Sequence, residues 1–70
     1  MIELDCMGDM CPLPLMRLKK AVGESNGEEI LLISDHSCTF RSITEYCKTK
    51  HYSFTYQEVM NGVWEILIRP

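Results

Sequence analysis

Two prolines separated by one residue, Pro12 and Pro14, set the strongest limit on how this chain can fold. Proline fixes its own φ angle and lacks an amide hydrogen, so a helix accepts it readily only in the first turn. Beyond the prolines, apolar residues recur at helical spacing: Leu15, Leu18, Ala21 and Val22. We therefore predict a helix that begins at Pro12 and ends near Val22, where Gly23 is a natural stop.

Two apolar segments flank this helix and predict strands. Residues 2–6 alternate apolar and polar side chains, which is typical of a strand with one buried face. Residues 28–34 contain four consecutive apolar residues, Ile30-Leu31-Leu32-Ile33, and a short run of this kind favours a buried central strand.

A second helix is predicted from the segment that follows the central strand. Asp35 and Ser37 are both suitable N-caps, and we expect the helix to continue to about Lys50. Its inward-facing residues would be Phe40, Ile43 and Cys47, together with Tyr46.

Asn61-Gly62 is a strong hairpin signal between two further strands, residues 53–60 and 63–69. A two-residue loop would divide the large apolar side chains of these strands between opposite faces. A three-residue loop, residues 61–63, with a bulge at Gly62 would collect them on one face. These side chains are Phe54, Tyr56, Met60, Trp64, Ile66 and Ile68. We favour the three-residue loop because it gathers them.

The predicted order βαβαββ indicates an α+β fold. It is a two-layer sandwich in which a four-stranded mixed sheet carries both helices on one face. The right-handed crossover rule makes the first two strands parallel. The loops that follow these strands, residues 7–11 and 35–38, then lie at the same edge of the sheet, so residues 27 positions apart in sequence converge there.

Cys11 directly precedes the first proline and would occupy the N-cap position of the first helix. The prolines remove two free amide donors, and the amides of Leu13 and Leu15 could point toward the sulfur. The positive end of the helix dipole also favours a thiolate at this position. Cys11 is therefore the predicted nucleophile. The alternative is that it only caps the helix in place of a serine.

Charge and composition exclude several classes of function. Seventy residues are enough for one domain, 1–70, and a net charge of −3 without a basic run argues against direct nucleic-acid binding. No apolar stretch reaches the ~18 residues that cross a bilayer, and no signal-peptide pattern is present, so we expect a cytoplasmic protein without membrane insertion. In that reducing compartment, four cysteines without a C-x-x-C pair favour free thiols over structural disulfides.

The segment Gly8-Asp9-Met10-Cys11-Pro12-Leu13-Pro14 resembles the G-x-x-C-P-x-P signature of the TusA/SirA-like sulfur-carrier family. The motif is specific because it follows a first strand. The resemblance extends over nearly the whole chain. Its further matches are Leu4-Asp5, Lys19, Lys20, residues 31–35, Thr39, Arg41 and residues 67–69.

This resemblance implies the same βαβαββ sandwich and a carrier that holds sulfane sulfur as a persulfide on Cys11. The residues that would support the site are Gly8, Asp9, Pro12, Pro14, Asp35 and Arg41. A cysteine desulfurase, a rhodanese-like protein or thiosulfate would supply the sulfur. An acceptor protein would take it for tRNA thiolation, molybdenum-cofactor assembly or sulfur-compound metabolism. The resemblance implies no metal and no organic cofactor.

One segment departs from the better-known members, which carry an acidic residue, proline and a small residue where this chain has His36-Ser37-Cys38 after Asp35. This departure argues against the tRNA route and suits a member that works with a YeeE-like thiosulfate permease. Cys38 could resolve or relay a persulfide on Cys11, form a reversible disulfide with it, or be an unreactive thiol. His36 could shuttle a proton or favour a nearby thiolate, or simply be exposed.

The remaining candidates have structural interpretations. Cys6 shares a face with apolar strand residues and Cys47 lies on the inner side of the second helix, so both are predicted to be core. Asp9 and Arg41 could orient the sulfur or a partner, or be ordinary surface charges. A zinc site is the chemical alternative, although its spacing is unlike known structural zinc sites. Its ligands would be Cys11, His36 and Cys38, with Cys6 as a fourth.

Two alternatives to sulfur carriage stay open. The first is a regulatory or binding module that uses methionines as an adaptable docking surface. These methionines are Met1, Met7, Met10 and Met16. The second is a thiol redox switch formed by Cys11 and Cys38 without sulfur transfer.

Overall fold

The secondary structure has the predicted order βαβαββ. A computed structural model of the chain describes residues 1–11 and 13–70. Its elements are β1 (Ile2–Asp5), α1 (Leu13–Ser25), β2 (Ile30–Ser34), α2 (Ser37–Lys50), β3 (Ser53–Met60) and β4 (Val63–Arg69). The predicted start of the first helix at Pro12 lies outside the described residues.

The four strands form one mixed sheet in the order β1-β2-β4-β3. β1 runs parallel to β2, with Ile2 opposite Ile30, as the crossover rule predicts. β4 is antiparallel to both of its neighbours, β2 and β3. The predicted α+β architecture is confirmed.

Both helices pack against one face of the sheet and enclose the hydrophobic core. α1 contacts β1 and β2, whereas α2 contacts β3 and β4. The fully buried apolar side chains of the core are Cys6, Leu18, Ile30, Leu32, Ile43, Cys47, Ile66 and Ile68. The predicted inward residues Phe40 and Tyr46 are partly buried against this core. The helical spacing therefore identified the inner faces of both helices.

The end of α1 differs from the prediction. The helix passes through Gly23 and ends at Ser25. An interior glycine weakens a helix by only about 1 kcal/mol, so it does not by itself stop one. The chain leaves the helix at Asn26 and Gly27, whose φ angles of 53° and 88° are left-handed.

The N-cap of α2 also differs from the prediction. His36 occupies the cap position, with extended backbone angles and no capping bond from its side chain. Ser37 is the first helical residue. The carboxylate of Asp35 accepts a hydrogen bond from the first loop instead of capping the helix. Both predicted caps are therefore wrong: the Asp35 carboxylate is used in a tertiary contact, and Ser37 already belongs to the helix.

The hairpin has a two-residue loop, and the favoured three-residue loop is wrong. Met60 pairs with Val63, and the bulge lies between Glu58 and Met60, at Val59 and not at Gly62. The bulge shifts the register so that pairing continues as Tyr56 with Ile66 and Phe54 with Ile68. Five of the six predicted apolar side chains therefore share a face, namely Phe54, Tyr56, Trp64, Ile66 and Ile68. Met60 instead pairs with Val63, outside this set.

Aromatic packing beneath α2 confirms which face of the hairpin is covered. The ring of Phe40 meets Tyr56 edge-on at a centroid distance of 4.8 Å. The same ring stacks on Trp64 at 5.7 Å. These contacts hold α2 over β3 and β4.

Candidate functional site

The loops that follow β1 and β2 meet at one edge of the sheet, as the topology predicts. The ladder between the parallel strands continues to Cys6, whose N–H donates to the carbonyl oxygen of Ile33 at 2.9 Å. Just beyond it, the N–H of Gly8 donates to the Asp35 carboxylate at 3.0 Å. Gly8 has a φ of 82°, a conformation that a side chain disfavours. The glycine of the motif therefore turns the loop toward its partner.

Asp35 joins the two loops through its carboxylate. The N–H of Gly8, which donates to this carboxylate, is the main reason that the pKa of Asp35 lies below its usual value. The Nδ1 atom of His36 lies 2.8 Å from the same carboxylate oxygen. Asp35 thus stays ionised at neutral pH, and its negative charge helps to hold both loops in place.

Cys11 lies in the turn before α1, with its side chain half-buried. The amide of Leu13 donates to the carbonyl oxygen of Met10 at 2.9 Å, so the expectation that it faces the sulfur is wrong. Two hydroxyl groups of α2 approach the sulfur instead. The oxygen of Thr39 lies 3.7 Å from Cys11 Sγ, and that of Ser42 lies 3.9 Å away.

These two hydroxyl residues are part of the site that the sequence did not reveal. Thr39 and Ser42 are three positions apart on α2, so their side chains share one face of the helix. Thr39 is buried and Ser42 is half-buried. The sequence feature that could have indicated these hydroxyls is a threonine directly after Cys38, followed by a serine one helical turn later. A hydroxyl that donates to a sulfur anion stabilises it, so α2 supplies the donors that were expected from α1.

Cys38 lies in the first turn of α2 and is exposed. Its sulfur is joined to Cys11 Sγ in a disulfide, with the two Cα atoms 6.4 Å apart. This separation is within the range that disulfides span. The expectation of free thiols therefore does not hold for this pair, because the parallel strands bring the two loops together.

The hydroxyl of Thr39 provides a test of how the reduced site activates its thiol. A Thr39→Val substitution keeps the buried shape but removes the hydrogen bond, so alkylation of Cys11 near pH 7 should slow by about two- to tenfold. The matched control is Thr44→Val, whose hydroxyl donates to the Arg41 carbonyl oxygen elsewhere on α2. Peptide-mapped alkylation rates give the comparison. Equal rates for the two variants would show that the hydroxyl does not assist the sulfur.

The charged candidates take different positions around the site. Asp9 pairs with Arg17 of α1 at 3.3 Å, which fixes the loop against the helix. Arg41 is exposed and lines a shallow groove with Cys38, Ser37 and Ser42. The imidazole of His36 is engaged with Asp35, and its role as a proton shuttle stays a prediction.

The two remaining cysteines belong to the core. Cys6 and Cys47 are both fully buried and unpaired with another cysteine. Burial raises the pKa of the Cys6 thiol, and it raises the pKa of the Cys47 thiol to about 11. Both side chains are therefore protonated at neutral pH, as expected for core thiols.

The described part of the chain offers no group of three or more His, Cys, Asp or Glu side chains with the geometry to hold a metal ion. Cys6, the suggested fourth zinc ligand, belongs to the core cluster.

Comparison with known proteins agrees with this geometry. The family model described as sulfurtransferase TusA matches residues 2–70. The chain belongs to this TusA family. The match spans both loops of the site and all six secondary-structure elements.

Individual relatives of this TusA-family chain are distant but cover nearly all of it. A protein of Methanocaldococcus jannaschii, provisionally named a sulfur carrier protein, is 31% identical over 99% of this chain and 93% of its own length. The sulfur carrier protein TusA of Buchnera aphidicola is 33% identical over 94% of this chain and 85% of its own.

A solved structure shares the fold. The crystal structure of a SirA-like protein from Desulfitobacterium hafniense has a TM-score of 0.88 and 28% identity, covering 99% of this chain and 96% of that one. Family membership and these relatives support a sulfur-carrier role for the TusA-family chain. Within residues 1–11 and 13–70, no helix has both the length and the apolar character to cross a membrane.

Proposed function

We propose that this protein carries sulfane sulfur as a persulfide on Cys11 and passes it to an acceptor protein. The observation that carries the proposal is the setting of Cys11 Sγ, half-buried at the convergent edge with the hydroxyls of Thr39 and Ser42 at 3.7 and 3.9 Å. Among the described residues, no other thiol combines partial access with nearby hydroxyl donors: Cys6 and Cys47 are buried, and the hydroxyls of Thr39 and Ser42 approach Cys11 Sγ, not the exposed Cys38.

The chemistry requires only a thiolate and a sulfane donor. The Cys11 thiolate attacks the outer sulfur of the donor, a new S–S bond forms, and the donor leaves with the electron pair of the old bond. From thiosulfate, the leaving group is sulfite. From a cysteine desulfurase or a rhodanese-like protein, it is the donor's own thiolate. An acceptor thiol then repeats the exchange at the outer sulfur of Cys11.

Exposed apolar side chains surround this position along the chain and suit contact with a partner. These residues are Met7, Met10, Leu13 and Met16. Methionine is flexible and polarisable, so one surface of this kind can fit both a donor and an acceptor in turn. We propose that such partners include a cytoplasmic sulfur donor, or a YeeE-like thiosulfate permease that presents its substrate at the membrane.

The decisive experiment measures the intact mass after loading. Reduced protein, freed of reductant and measured directly after mixing with thiosulfate or with a persulfide-loaded desulfurase, should gain about 32 Da, the mass of one transferred sulfur. Cys11→Ser should gain nothing, because serine cannot form a persulfide. Cys47→Ala is the matched control, since Cys47 is buried away from the edge, and it should still be loaded.

The outcome also separates sulfur carriage from a binding module. If neither donor gives an adduct on the wild-type protein directly after mixing or on Cys38→Ser, the carrier proposal is wrong. A Cys11→Ala variant that still binds its partner with unchanged affinity would then favour a docking function of the exposed methionines.

A further inference from the structure

The Cys11–Cys38 pair has a chemical capacity that a simple carrier does not need. The two sulfurs are bonded across the two loops, so the backbone already permits the geometry of an S–S bond between them. Cys38 is exposed, whereas Cys11 is half-buried. A carrier that only hands sulfur to a partner requires one thiol, and this site has two.

We infer that Cys38 is a resolving thiol, which discharges the Cys11 persulfide as hydrogen sulfide when no acceptor takes the sulfur. This inference rests on the proposed function, since it needs the persulfide to form. It adds a second outcome for the carried sulfur, namely release as free sulfide instead of transfer to a protein.

The step balances without an external oxidant. The Cys38 thiolate attacks Cys11 Sγ, the inner sulfur of the persulfide, and forms the Cys11–Cys38 disulfide. The bond between Cys11 Sγ and the outer sulfur breaks, and that sulfur leaves as HS⁻ with the electron pair. Two electrons pass from the two cysteine sulfurs to the sulfane sulfur. A dithiol reductant then restores both thiols for another round.

Geometry favours attack on the inner sulfur over the outer one. Cys38 and Cys11 Sγ can bond without rearrangement of the loops, as the disulfide demonstrates. The outer sulfur of a persulfide lies a further ~2 Å away along its own S–S bond. Relay of sulfur to Cys38 would require the side chains to move apart by that distance. Release of sulfide is therefore the reaction that this arrangement promotes.

The bonded position of the two sulfurs also makes the reaction intramolecular. Reactions between groups held in contact proceed far faster than the same reaction between separate molecules. We therefore expect Cys38 to shorten the lifetime of the persulfide by at least about tenfold relative to a site that lacks it.

The test follows a single round of loading in the absence of added thiols. Reduced wild-type protein and Cys38→Ser are each mixed with one equivalent of the donor that loads them, and mass and free sulfide are followed over time. The wild type should pass through the adduct to a species about 2 Da lighter than the reduced protein, with one sulfide released per chain. Cys38→Ser should keep its adduct at least about tenfold longer and release no sulfide.

The remaining outcomes separate this inference from the proposed function. No adduct on Cys38→Ser would overturn the persulfide itself. An adduct that lasts equally long on both proteins would leave sulfur carriage intact but overturn the resolving role. A sulfur mapped to Cys38 in the wild type would show relay instead of release, which also overturns it. Cys47→Ala should discharge like the wild type, because its thiol is remote from the edge.

Discussion

Protein with Cys11 and Cys38 joined is expected to accept no sulfur from the donor that loads the reduced protein. Sulfur transfer begins with attack by a thiolate, and the disulfide leaves no thiolate on Cys11. The other two thiols cannot replace it, because Cys6 and Cys47 are buried and burial raises the pKa of both. Loading should therefore fall from one sulfur per chain to none.

Intact mass provides the measurement. Protein is oxidised, freed of oxidant, exposed to donor and compared with a sample that has been reduced again and then freed of reductant. The reduced sample, measured directly after mixing with donor, should recover the gain of about 32 Da. Cys47→Ala should close the disulfide and lose loading in the same way. Equal loading of the oxidised and reduced samples would contradict a thiolate mechanism at Cys11.

Reduction of the Cys11–Cys38 bond should also lower the free energy of unfolding by about 3.5 kcal/mol. The bond closes a loop with a sequence separation of 27 residues, and the chain-entropy relation gives this figure for that length. Domains of 70 residues are typically stable by only about 4–10 kcal/mol, so the difference is a large share of the total. It corresponds to a fall in Tm of roughly 15–25 °C.

Thermal or urea unfolding with and without a reductant checks this expectation. The wild-type midpoint should depend on the redox state, whereas that of Cys38→Ser should not. Coincident wild-type midpoints would show that closing the loop adds no stability.

Most of the architecture could be predicted because each element has a strong local pattern. The apolar run Ile30-Leu31-Leu32-Ile33 identified the central strand, and the crossover rule placed both loops at one edge. The predictions that failed concerned the ends of helices and strands. Asp35 does not cap α2 because its carboxylate accepts a hydrogen bond from Gly8, 27 residues earlier in the chain. A local sequence pattern does not include a contact between such distant residues.

The site could be predicted in part for the same reason. The meeting of the loops that carry Cys11 and Cys38 follows from parallel strands and sequence separation. The hydroxyls of Thr39 and Ser42 were missed because their approach depends on how α2 is rotated about its axis, which Phe40 fixes by packing on β3 and β4. The spacing of residues along the sequence does not determine this rotation of α2.

The bulge at Val59 means that β3 contains one residue more than its ladder with β4 uses. Shortening the chain by this one residue would leave Met60 opposite Val63 and Glu58 opposite Trp64 in an unbroken ladder. Removal of a residue nearer the start of β3 would instead turn the preceding side chains to the opposite face. Val59 is therefore a position at which β3 can lose one residue without disturbing the core.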